Sequence, residues 1–163
     1  MTITIIILGT LAVGLIWWFY FRVPRPEIPP LTVDENDPLM IEAIKTGKET
    51  IGDFVKLYGQ DSKNAQVKLP FKTSSGETEF LWAEVKAIKD SDVDVFLLTP
   101  PVTHTGQVDR NQTYRLDEII DWAIFLDNGK VKGGHTMKVM FNIAREKWGQ
   151  LPDKLLEEEK KYN

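Results

Sequence analysis

The stretch Glu79-Phe80-Leu81-Trp82-Ala83-Glu84-Val85-Lys86-Ala87-Ile88 decides the fold class. Its side chains alternate, with Leu81, Ala83, Val85 and Ala87 on one face and Phe80, Trp82, Glu84 and Lys86 on the other. A period of two predicts a strand that buries one face of a sheet. Asp90 to Asp92 then reads as a turn, and Val93 to Thr99 as the returning strand of an antiparallel hairpin.

The same grammar extends outward. Ala65 to Phe71 is a preceding strand, joined through the turn Thr73-Ser74-Ser75-Gly76. Downstream, Pro100-Pro101 closes the hairpin and a polar loop follows. Gln112 to Leu116 is a short strand, Asp117 to Asp121 a helical turn, and Trp122 to Leu126 another strand. Asp127-Asn128-Gly129 is a strong hairpin signal, returning through Lys130 to Gly133.

Helices flank this block. Asp37 is a suitable N-cap and Pro38 fits the first helical position. Met40, Ile44, Ile51, Phe54, Val55 and Tyr58 recur at helical spacing, so one helix is predicted from Asp37 to a stop at Gly59. After Gly133-Gly134, Met137, Met140, Phe141, Ala144 and Trp148 mark a second helix, with Thr136 as its cap and Gly149 as its end. Asp153 to Lys161 predicts a frayed, charged helical tail. The order reads as α+β: a helix, a curved antiparallel sheet of four to five strands, and a C-terminal helix.

The N-terminus is of another kind. No charged side chain occurs from Met1 to Phe21, and Trp17, Trp18 and Tyr20 gather at one end of this run. Some ~20 apolar residues at about 1.5 Å each span a bilayer core, and no basic start precedes them as in a cleaved signal peptide. An uncleaved transmembrane anchor over 1–22 is therefore expected, in the inner membrane of a bacterial cell. Arg22 and Arg25 place the following domain in the cytoplasm by the positive-inside rule. Residues 23–36, with Pro24, Pro26, Pro29 and Pro30, read as an extended spacer. The remaining expected boundaries are 37–149 for the domain and 150–163 for the charged tail.

Composition narrows the chemistry. The chain has 163 residues, a net charge of -4 and no cysteine, which removes disulfides, thiolate metal sites and cysteine nucleophiles. Its mixed charges form no basic stripe, so nucleic acid is not an expected partner. His104 and His135 lack metal-ligand spacing, and no cofactor is expected. Asp90-Ser91-Asp92-Val93-Asp94 fails the calcium-loop pattern, which needs Gly and Glu where Val95 and Pro101 stand.

Four pieces in order, Val67-Lys68-Leu69-Pro70-Phe71, Glu79-Phe80-Leu81-Trp82, Leu116-Asp117-Glu118-Ile119-Ile120-Asp121-Trp122 and Gly133-Gly134-His135-Thr136, resemble the YegJ-like family of bacterial domains of unknown function. The resemblance spans Asp37 to about Ile143 and implies a domain boundary without a reaction. It also implies that the position of His135 is often aromatic, so its imidazole is not essential.

Two readings of function follow. The first is a membrane-tethered, non-enzymatic protein-interaction module, because no catalytic constellation survives inspection. The second is a small-ligand binder or enzyme using the Gly133-Gly134 turn. Its candidates are Glu118 and Asp121 as an acid–base pair, Trp122 beside them, and Gly133, Gly134 and His135 at a helix N-terminus able to hold an anion.

Overall fold

A computed structural model describes residues 36–61 and 64–162. The expected anchor, and nearly all of the spacer, lie outside them. Among the described residues no helix is long and apolar enough to cross a membrane.

The first helix begins as its sequence dictates. Asp37 Oδ1 accepts the N–H groups of Leu39 (2.8 Å) and Met40 (3.2 Å), and Pro38 needs no partner for its nitrogen. One long helix is not what forms. The chain makes α1 (Pro38–Glu49) and α2 (Ile51–Asp61), with Thr50 between them at φ −96° and ψ 12°. The Thr50 hydroxyl bonds back to the Thr46 carbonyl (2.7 Å), a contact that bends helices, and it also accepts the Trp122 indole N–H (3.0 Å). An apolar stripe that runs through the bend gives no sign of it.

Six strands form one antiparallel sheet: β1 (Ala65–Lys72), β2 (Thr78–Lys89), β3 (Asp92–Leu97), β4 (Asn111–Arg115), β5 (Asp121–Phe125) and β6 (Val131–Gly133). Their spatial order is β4-β3-β2-β1-β5-β6, so β1 lies between its hairpin partner and a strand some fifty residues on. The β2–β3 hairpin predicted from alternation is present, with one correction. Val85 pairs Val95, but the register shifts before Ala87, and Ile88 then faces Val93. This bulge transfers the buried side from the odd-numbered residues to Ile88, which packs against the core where Ala87 was expected.

The inner face of the sheet carries Val67, Leu69, Leu81, Ala83, Val93, Val95 and Ile124. Phe54 of α2 is fully buried on it, 5.7 Å from Trp122 between ring centres. Deleting such a buried ring costs about 3–5 kcal/mol.

α3 (His135–Trp148) packs against α1, burying Phe141, Ile143 and Ala144 on one side and Met40, Ala43 and Gly47 on the other. The C-terminal segment is not a frayed tail. α4 (Asp153–Glu159) and the turn Lys160–Tyr162 fold back, and Tyr162 is buried edge-on to Phe141 (5.5 Å). Arg145 grips both carboxylate oxygens of Glu159 (2.8 and 2.7 Å). The charge density of Asp153–Lys161 hid this docking, because buried Leu151 and Tyr162, which flank the charged run, and the Arg145–Glu159 pair carry it.

Candidate functional site

Asp121 begins β5 and is fully buried. Its side chain collects four donors. Oδ1 accepts the backbone N–H of Trp122 (2.8 Å) and of His135 (3.2 Å); Oδ2 accepts the Thr136 N–H and the Thr136 hydroxyl, both at 2.7 Å. The latter three donors belong to the first turn of α3. That helix has no cap from its own sequence, since its N-cap residue is Gly134 in the left-handed region. A carboxylate from another strand therefore does the capping, satisfying orphan N–H groups and meeting the positive end of the helix dipole. The expected cap, Thr136, sits inside the helix and donates instead.

The surroundings are shaped to bring Asp121 there. Lys68 pairs with it across β1 and β5, and its ammonium donates to the Thr136 oxygen (3.4 Å). Burial holds the Lys68 amine below the usual lysine range, and the nearby Asp121 charge works against that fall. Gly47 lets α1 approach: a Cβ there would stand 2.5 Å from the Ile120 carbonyl oxygen. Gly133, at φ +79°, lies where a Cβ would come 2.2 Å from the Trp122 carbonyl oxygen.

Beside this cluster lies an open cleft of about 700 Å³, between α2, the β5–β6 ribbon and the start of α3. His135 stands on its wall, edge-on to Trp122 (6.0 Å), with Nε2 3.5 Å from the Thr50 hydroxyl oxygen. Burial holds the His135 imidazole below its ordinary value; the Asp121 charge opposes this, and the Lys138 ammonium adds to it. Lys56 from α2, Lys132 from β6 and Lys138 from α3 line the same space.

Residues 37–150 match the sequence profile of a bacterial family described as an uncharacterized protein conserved in bacteria, DUF2314. The chain belongs to this family. No curated protein and no solved structure matches it.

Within the DUF2314 domain the expected site residues divide. Asp121, Trp122, Gly133, Gly134 and His135 come together, through the β5–β6 pairing and the Gly134 N–H bond to the Trp122 carbonyl (2.7 Å). Glu118 does not join them. It is exposed on the 3-10 turn Leu116–Glu118, accepts the Arg115 N–H (2.7 Å), and borders a different cavity beside His104 and Tyr114. The Glu118–Asp121 pair expected for acid–base chemistry is thus not assembled. The expected anion place at the start of α3 is occupied by the protein's own Asp121. Lys68, Thr50 and Gly47 escaped notice because the β1–β5 pairing and the approach of α1 are long-range. No local spacing announces them.

Proposed function

We propose that this DUF2314 member is a YegJ-like, non-enzymatic protein-interaction module, tethered to the inner membrane by its N-terminal apolar run with the domain in the cytoplasm. One observation carries the reading: part of the outer sheet face is apolar and open. Phe80 and Leu98 are 37% and 38% exposed there, beside half-buried Trp82. With Phe125, Met137 and Tyr162 they border a groove of about 450 Å³, in which Glu158, paired to Lys161, supplies the charge. Such a groove suits an apolar anchor side chain from a protein partner. The Asp121 cluster supports the same reading from the other side, because its polar atoms are engaged in holding α3.

A photo-crosslinking residue placed at Phe80 or Leu98 of the full chain, in native membranes, tests this. The expected outcome is one discrete protein adduct from both positions and none from exposed Glu146. Removing residues 1–22 should reduce the adduct without unfolding the domain. Equal labelling at all three positions, or none at Phe80 and Leu98, defeats the reading.

A further inference from the structure

We propose that the cleft between α2, β6 and the start of α3 binds a phosphate-bearing small molecule, with Lys56, Lys132 and Lys138 as the cationic contacts. The inference does not depend on the protein-interaction reading and concerns a different face.

Charge placement carries it. The chain is acidic overall, at -4. Several lysines elsewhere sit in ion pairs, Lys45 with Glu42, Lys86 with Glu84 and Lys89 with Asp94, while Lys48 and Lys72 do not among the described residues, so it is the grouping in the cleft that stands out. In the cleft, three lysines from three separate elements converge on one cavity, against the single carboxylate of Asp53. None of the three makes an ion pair among the described residues. All three lysines are exposed, so water and salt screen them from one another, and an anion seated among them would gain from each.

The cleft is also built like a binding site. Its ~700 Å³ falls within the usual range for small-ligand pockets. Leu57 and Val131 give it an apolar floor, and the lysines leave room for point-charge contacts to phosphate oxygens. The Thr50 hydroxyl already gives its hydrogen to the Thr46 carbonyl, so the contact with His135 is best met by an Nε2–H tautomer. In that tautomer Nδ1 is the ring atom left to take up a proton, and an anion in the cleft would favour the charged ring.

Calorimetric titration of the full chain at about 0.15 M salt, where loose surface charge is screened, tests the site. Inorganic pyrophosphate represents a soluble polyphosphate, and glycerol phosphate represents a lipid-headgroup monoester. Saturable binding of either supports the proposal, and the tighter of the two names the source. The exposed double variant Lys56→Gln/Lys138→Gln should weaken it tenfold or more, whereas Lys45→Gln/Lys86→Gln should leave it unchanged. Binding should also raise the pKa of His135, read from its ring resonances. No saturation by either probe below ~10 mM, equal loss in the control pair, or a His135 titration unmoved by a probe that binds, overturns the proposal.

Discussion

Two carboxylates in this domain do the same chemical work, one in the interior and one at the surface. Asp121 accepts three donors from the first turn of α3, plus the Trp122 N–H, and is fully buried. Glu79 accepts the Val102 N–H (2.8 Å), the Thr103 N–H (2.6 Å) and the Thr103 hydroxyl (2.6 Å), tying the 98–110 loop to the start of β2, and it is only partly buried, with its hydrogen bonds at the surface. Both staple segments far apart in sequence. Only the buried one leaves its donors without a substitute when it is removed, because water can replace Glu79 but has no access to Asp121. Bond number is therefore a poor guide to contribution, and burial decides.

The largest expected effect follows directly. Asp121→Ala strips a buried helix start of its acceptor and leaves Lys68 without its counter-charge, at a cost of about 3–5 kcal/mol. Urea unfolding of the full chain measures it, and a loss under ~1 kcal/mol would erase the contrast with Glu79. The second concerns Tyr162, whose ring lies against Gly134 on the far side of the same turn. Burial first, then the charges of Glu158 and Asp121, push its phenol up to about 12. The unfolded phenol ionises near 10, so stability is retained below that pH and lost as pH rises from about 10 through 12, by at most about 2–3 kcal/mol. Tyr162→Phe should lack this alkaline slope in parallel unfolding curves.

A smaller effect tests the approach of α1. Gly47→Ala sets a Cβ against the Ile120 carbonyl and should cost about 1–3 kcal/mol, lowering the melting temperature. Gly59→Ala, also helical but with nothing within 4 Å, is its control and should stabilise by up to about 1 kcal/mol. Least of all, acid should open the Glu79 clamp locally. Hydrogen bonds from Thr103 and Val102 hold that carboxyl below the usual glutamate range. Its contribution is present above the ordinary glutamate value and lost as pH falls through the lowered one. Amide protection at Val102 and Thr103, corrected for the intrinsic pH dependence of exchange, should fall there while the urea midpoint shifts no more than in Glu79→Gln.

The sheet was legible where one face is buried and the partner is next in sequence. Alternation from Glu79 to Val85 and the turn at Asp90–Asp92 were enough for the β2–β3 hairpin. What pattern could not reveal is set by distant contacts: the bulge that brings Ile88 inward, the bend that Trp122 pins at Thr50, and the docking of Tyr162. The candidate site divides the same way. Gly133-Gly134-His135-Thr136 was recognisable as a strand-to-helix turn, but the donor count on Asp121 exists only once β5, β6 and α3 meet. Glu118 and Asp121, three residues apart, suggested a pair; the 3-10 turn and the extended backbone at Ile119 send them to different places.

The most direct test of a structural Asp121 is a double-mutant cycle between Asp121→Asn and Thr136→Val, followed by urea unfolding of the full chain. If the carboxylate acts by holding the α3 start, the two losses overlap and the coupling is about 1–3 kcal/mol. Additive losses, or an Asp121→Asn protein as stable as wild type, would contradict the account and return this buried acid to the list of groups kept for chemistry.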